Sequence, residues 1–289
     1  MIHSMTGFAS VEQQTTFGRL AWELRSVNHR YLEISLRLPE EFRVLEPAVR
    51  DHLAANLSRG KIDAALRYTR GREAEQNELL LNTDMAVRLL KIHRELQHLS
   101  ATQQGPNLTE LLRWPGMVSE QTPDNEPLHI AALELLSEGV TGLKASRARE
   151  GSKLAALIIE RLDSVAAAVG QVRGWLPEIR EALKQRLLNR VADLPQPLDA
   201  GRMEQEVALL VQKMDVDEEL DRLDAHVAEA RRVVKLDEPV GRRLDFLMQE
   251  FNRESNTLSS KSVDNRSTQV AVDLKVLIEQ MREQVQNIE

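Results

Sequence analysis

Apolar residues recur at every second position in two early stretches, Leu20, Trp22 and Leu24, then Leu32, Ile34, Leu36 and Leu38. Arg19, Glu23, Arg25, Glu33 and Arg37 take the opposite parity, so the period of two predicts half-buried strands. Asn28, His29 and Arg30 interrupt that parity and fall at a bend or strand end. Pro39 closes the extended segment. Phe42, Leu45, Val49 and Leu53 then mark a helix over 40–57. A strand from Arg59–Gly60 through Tyr68, a polar turn over 70–77 and a short strand over 78–82 follow. Asn82 or Thr83 is placed to cap a helix running to about residue 99.

The pattern then turns helical. Loops are expected over 101–107 and 119–127, around a short helix. Trp114–Pro115–Gly116 reads as a turn with Trp114 as a packing anchor rather than a nucleobase platform. A long helical pattern runs from about Leu128 to Val172, with Leu154, Leu157, Ile158, Leu162, Val165 and Val169 on one stripe. Pro177 is expected to open a second helix carrying Ile179, Leu183, Leu187 and Val191, the two packing as an antiparallel arm whose apolar flanks suit a partner copy. Pro195 and Pro197 signal a linker, and helix is expected to resume near Arg202 with Val207, Leu210, Val211 and Met214. Asp215 and Glu218 have capping-box spacing after the acidic break. Leu220, Leu223, Val227 and Ala230 form the next packing stripe; Glu219, Arg222, His226 and Glu229 share the adjacent flank. Residues 241–261 pair Leu244, Leu247, Met248 and Phe251 with Glu250, Arg253, Glu254 and Asn256, and 269–287 are helical again.

The expected fold is therefore α+β: an N-terminal antiparallel or mixed sheet with covering helices, a long antiparallel helical arm, and a C-terminal helical domain. The expected divisions are 1–127, 128–197 and 198–289. At 289 residues with 42% apolar composition the chain can bury a substantial core. It has no apolar run near ~20 residues, so no membrane span is expected. Its first residues lack the basic region and apolar core of a secretory signal. It has no cysteine, which removes disulfide and thiolate chemistry and fits cytoplasmic residence.

The formal charge of −7 argues against indiscriminate polyanion binding. Its distribution is uneven: residues 1–72 carry 11 Lys/Arg against 8 Asp/Glu, and residues 201–289 carry 13 against 19. A basic end that meets nucleic acid and an acidic centre that holds metal would share the work this way; so would two domains differing only in surface charge. Among the basic residues, Arg25, Arg30 and Arg37 suit phosphate, with Asn28 and His29 adding directional hydrogen bonds.

Glu250 and Glu254 stand one helical turn apart, and His226 on a facing helix would complete a nitrogen–oxygen donor set for a divalent cation. Histidine favours manganese or zinc over magnesium in such a set. The same spacings also make ordinary solvent-screened ion pairs, so on periodicity alone both readings stand. Zinc-finger spacing, an HExxH pair, a Walker loop, a GxSxG turn and a glycine-rich dinucleotide fingerprint are all missing, which excludes those site types.

Several longer segments narrow the choice. SMTGFA, RSVNHRYLE, LLRWPG, EELDRLDAH and GRRLDFLMQEFNRESNTLSSK occur in this order, followed by the terminal LKVLIEQMREQVQNIE. Together they make the chain resemble the bacterial YicC-like family across essentially its whole length. The resemblance implies a metal-dependent endoribonuclease acting on single-stranded or structured small RNA, with a homohexamer as the favoured assembly. It implies His226, Glu250 and Glu254 as metal ligands, and Glu219 as a further ligand or water-positioning base. Arg253 would join His226, Glu250 and Glu219 in catalysis, with Arg222 and Lys261 on phosphate. The competing class is a non-catalytic RNA-binding or scaffold protein.

Overall fold

A computed structural model describes residues 2–71, 79–100, 105–120, 125–192, 205 and 214–289. The linker expected at Pro195 and Pro197, the restart near Arg202, and the stripe residues Val207, Leu210 and Val211 lie outside the described residues, as do most of the polar turn over 70–77 and parts of both loops.

The architecture is α+β, as the patterning implies. Strands β1 (Gly7–Thr15), β2 (Gly18–Val27), β3 (Leu32–Arg37) and β4 (Gly60–Arg70) form one mixed sheet in the order β1-β2-β4-β3. β1, β2 and β4 pair antiparallel, and β3 runs parallel to β4. The β1–β2 hairpin turns at Gly18, whose φ of +137° and 2.2 Å approach of a would-be Cβ to the Thr69 carbonyl require glycine. Leu20, Trp22 and Leu24, read above as inward, are fully buried with Ile62, Ala64 and Leu66. Asn28–Arg30 form part of the connection between β2 and β3.

The helix expected over 40–57 is a 3₁₀ turn, Glu40–Leu45, running into α1 (Glu46–Asn56). β5 (Leu79–Leu81) and β6 (Val118–Glu120) pair as a separate two-stranded sheet around α2 (Thr83–Ser100) and α3 (Leu108–Leu112). Asn82 is the α2 cap, accepting from the Met85 amide at 3.0 Å. Trp114 is 53% exposed and is no packing anchor, because Met117 is the sole buried side chain among the described residues of 79–120.

α4 (Glu126–Ala192) is one helix of 67 residues, about 100 Å long at 1.5 Å per residue. It continues through Pro177 instead of breaking there. Proline costs one backbone donor, and the helix is already leaving the core at that point: Leu176 is its last buried side chain among those described. Earlier, α4 serves both cores. Leu128, Ala132, Leu135, Leu136, Val140 and Leu143 cover the sheet, and Trp22 donates its indole N–H to the Ala132 carbonyl at 2.9 Å. Leu154, Ile158, Leu162, Val165, Val169 and Val172 pack against the C-terminal helices α5 (Asp217–Val234), α6 (Gly241–Lys261) and α7 (Asn265–Val285).

A backbone clasp joins the two ends of the described chain. The Met5 amide donates to the Asn287 carbonyl at 2.7 Å and the Glu289 amide to the His3 carbonyl at 3.0 Å. Arg147, 4% exposed, donates to the Ser4 carbonyl at 2.6 Å and pairs with Glu289. Among the described residues no helix is long and apolar enough to cross a membrane.

Candidate metal centre

α5 and α6 lie against one another through Leu220, Leu223, Val227 and Ala230 on one side and Leu244, Leu247, Met248, Phe251 and Leu258 on the other, all buried. Their polar edges meet in a row of cross-links. Lys261 Nζ donates to Glu219 Oε1 at 2.8 Å, Arg222 reaches Glu254 Oε1 at 3.4 Å, and Arg243 reaches Glu229 Oε1 at 2.6 Å. Residue numbers rise along α5 as they fall along α6, so the two helices run antiparallel.

That packing brings His226 to Glu250 and Glu254. One ligand atom from each lies within 4.8 Å of the others. Around a single ion held at about 2.1 Å, neighbouring ligand atoms stand about 3 to 4 Å apart, so small rotamer changes close the set. His226 is half-buried, edge-on to Phe251 with ring centroids 5.7 Å apart. Its Nε2 is shut away from solvent and finds no hydrogen-bond partner among the described residues. An unpaired buried nitrogen costs about 1–3 kcal/mol, and a cation at the cluster would satisfy it. Two carboxylates and one imidazole also match the charge and donor preferences of a divalent transition ion. The residues fit such a group.

The surrounding charges hold this cluster in place. Glu254 is 2% exposed, and Arg222 stands between it and Glu218. Glu218 first and Glu254 second raise the Arg222 pKa above the ordinary guanidinium value. Glu250 has the exposed Arg253 at 3.9 Å. Glu229 accepts two hydrogen bonds from Arg232, at 2.8 and 2.9 Å, and a third from Arg243. The Arg232 bonds, followed by that from Arg243, pull its carboxyl down to about 2.

The other residues singled out from the sequence are distributed as follows. Glu219 is buried at 5% exposure and bound to Lys261, which also donates to the Asp215 carbonyl at 3.0 Å; Glu219 Oε2 is buried with no partner among the described residues. Lys261 and Arg222 are thus both engaged by carboxylates. Asn28 donates to the Gln286 carbonyl at 2.7 Å, tying the β2–β3 connection to the end of α7. His29 Nδ1 lies 3.1 Å from the Tyr31 carbonyl and its Nε2 lies 3.8 Å from Glu33. Arg30 stacks over the Tyr31 ring at 5.3 Å. Arg25 and Arg37 are exposed on β2 and β3. Sequence reasoning read Glu218 only as a capping-box residue and missed its pairing with Arg222, although the spacing of four residues marks it. It also missed Phe251 as the wall behind His226.

Two family models match the chain: "Endoribonuclease YicC-like, N-terminal region" over residues 2–156 and "Endoribonuclease YicC-like, C-terminal" over residues 172–289. The stretch between them lies within α4. A Haemophilus influenzae protein named "Probable endoribonuclease YicC" is 47% identical over the full length of both chains. A Clostridioides difficile protein of the same name is 29% identical, again over the full length of both. The chain belongs to the YicC-like endoribonuclease family.

Proposed function

We propose that this chain is a metal-dependent endoribonuclease that cleaves phosphodiester bonds in single-stranded or structured small RNA. The observation carrying this reading is the convergence of His226, Glu250 and Glu254 within 4.8 Å, in a chain similar along its whole length to proteins named as probable endoribonucleases. The three residues would hold a divalent cation. The imidazole favours manganese over magnesium, with zinc also compatible with the donors. A cation bound there lowers the pKa of water and balances charge on phosphate.

The chain's own residues supply the rest. Arg253, 70% exposed and only loosely held by Glu250, is free to swing toward a phosphate and balance charge that develops on it. Glu219 is the further ligand or water-orienting base; its Oε2, buried and without a partner among the described residues, must be uncovered to reach water. Arg222 and Lys261 are cations at the same helix interface, and each must exchange a carboxylate for phosphate to bind RNA. Arg25, Asn28, His29, Arg30 and Arg37 guide the backbone from the N-terminal sheet. The enzyme acts in the cytoplasm as a homo-oligomer, a hexamer being the state the family resemblance implies. Support for assembly comes from the exposed side chains Leu79, Val87, Ile92, Leu96, Leu99 and Leu108.

The test is cleavage of a 5′-labelled small RNA. Manganese should support cutting and EDTA should stop it, while His226→Ala and Glu250→Gln should each reduce the rate by at least about a hundredfold. RNA binding without cutting under manganese, magnesium and zinc would favour a non-catalytic RNA-binding protein. Termini bearing a 2′,3′-cyclic phosphate would assign the nucleophile to the RNA 2′-hydroxyl instead of water.

A further inference from the structure

The inner face of the four-stranded sheet is buried under α1 and α4, while its outer face is left open. Successive residues of a strand point to opposite faces, and register partners share one. Three register relations place Phe8, Arg25, Asp63 and Ser35 in a single row across that open face: Phe8 opposite Arg25, Arg25 opposite Asp63, and Asp63 opposite Ser35. The neighbouring row is Ser10, Glu23, Ala65 and Arg37.

Phe8 is 58% exposed. It stands on the polar parity of β1, with Ser10, Glu12 and Gln14, so burial does not account for it. The charges around it fall into two groups. Arg19, Arg67 and Lys61 are paired to Glu12, Glu23 and Glu33. The side chains of Arg25 and Arg37 have no ion-pair or hydrogen-bond partner among the described residues, and the two residues stand two strands and one row apart, about 12 Å.

We infer that this face is a platform for single-stranded RNA, with Phe8 stacking on a base and Arg25 and Arg37 taking two phosphates of the same strand. An inward-facing core residue or a protein-docking patch would bring further large apolar neighbours, whereas Phe8 is the one large apolar side chain in these two rows, among serine, arginine, glutamate, alanine and aspartate. An exposed ring beside an unpaired guanidinium is the pairing that single-stranded nucleic acid uses: a π-face for any base and a cation for the linkage. Asp63 and Ser35 in the same row supply an acceptor and a hydroxyl for base edges. The platform rests on the RNA reading but does not depend on cleavage or on the α5–α6 cluster.

The test measures binding of a fluorescein-labelled ten-nucleotide oligouridylate to the full chain in EDTA, so that cutting does not intervene. Phe8→Ala and Phe8→Leu are expected to weaken binding about tenfold, within the range that loss of one stacked base produces, whereas Phe8→Trp retains it. Arg25→Gln and Arg37→Gln should each lower the slope of log affinity against log salt by about 0.7. RNA that is bound but not cut in manganese would sink the nuclease reading and leave the platform standing. Wild-type affinity in both Phe8→Ala and Phe8→Leu would overturn the platform and leave the nuclease intact. Smaller assemblies of those variants in light scattering, at unchanged RNA affinity, would reassign the face to contact between copies. Failure of the wild-type chain to bind the oligonucleotide would overturn both readings.

Discussion

Arg222 Nη1 lies 3.4 Å from Glu254 Oε1 while its other arm is held by Glu218, so a cation already leans on the most buried carboxylate of the candidate metal cluster. Arg222 and a metal ion would therefore compete for Glu254. Removing the guanidinium leaves Glu254 buried without an ion-pair partner among the described residues. We predict that Arg222→Ala lowers the melting temperature of the metal-free protein and tightens manganese binding about fivefold, as loss of one nearby like charge should. Calorimetric titration measures the second effect. Weaker manganese binding would mean that Arg222 orients Glu254 instead of competing for it.

A related competition governs Glu219 and Lys261, bound to each other at 2.8 Å. Glu219 is 5% exposed, so deleting its lysine strands a buried charge. Lys261→Met is expected to cost about 3 kcal/mol in urea unfolding. The double variant Glu219→Gln with Lys261→Met should recover more than half of that loss. If the two substitutions instead add, Glu219 is held by something other than Lys261 and its unpaired oxygen belongs to a different network.

The first of these partnerships was half legible in the sequence. Leu244, Leu247, Met248 and Phe251 carried the helical period, and the spacing of four put Glu250 and Glu254 on one flank of it. The convergence of His226 was not legible from periodicity. It depends on α5 and α6 packing antiparallel, a relation between segments that no local period encodes. The sheet was readable because Leu20, Trp22 and Leu24 keep strict alternation over a buried face. Phe8 escaped notice because one aromatic among Ser10, Glu12 and Gln14 gives no alternation. Pro177 misled for a physical reason: proline usually opens or breaks a helix, yet here it sits just past Leu176, where little packing opposes a local adjustment. Trp114 read as an anchor because large aromatics usually find a core, and the described part of 79–120 buries little besides Met117.

Glu229 gives the acid limb of stability a specific origin. Its carboxyl is held at about 2 by Arg232 first and Arg243 after it, against 4.5 for the unperturbed group. A folded-state value below the unfolded one stabilises the fold above the unfolded pKa, and that contribution disappears as pH falls through the folded one. The Glu229 share is thus complete above about pH 4.5 and gone near pH 2. Glu229→Gln should melt below the wild type at pH 7, and the gap should close progressively between pH 4.5 and 2. A gap independent of pH would show that packing of the side chain, and not its charge, ties α5 to the start of α6.

Two glycines on long helices should respond to alanine in opposite directions. At Gly241, the first residue of α6, an added Cβ would meet the Ile288 carbonyl oxygen at 2.3 Å. That atom is backbone, held in the clasp between the chain's ends, so it cannot rotate away. At Gly174 in α4 an added Cβ meets nothing within 4 Å. Gly174→Ala should therefore stabilise by about 0.5–1 kcal/mol, the helix-propensity gain with no steric term. Gly241→Ala should instead destabilise by about 1–3 kcal/mol, as forced overpacking does. Because Gly241 opens the helix that carries Glu250 and Glu254, the displaced clasp should also weaken manganese binding in the Gly241 variant and not in the Gly174 variant. Urea unfolding in EDTA separates the stability effects, and calorimetric titration the metal effect. Equal manganese affinity in the two variants would mean that the clasp holds the chain's ends together without setting the position of α6.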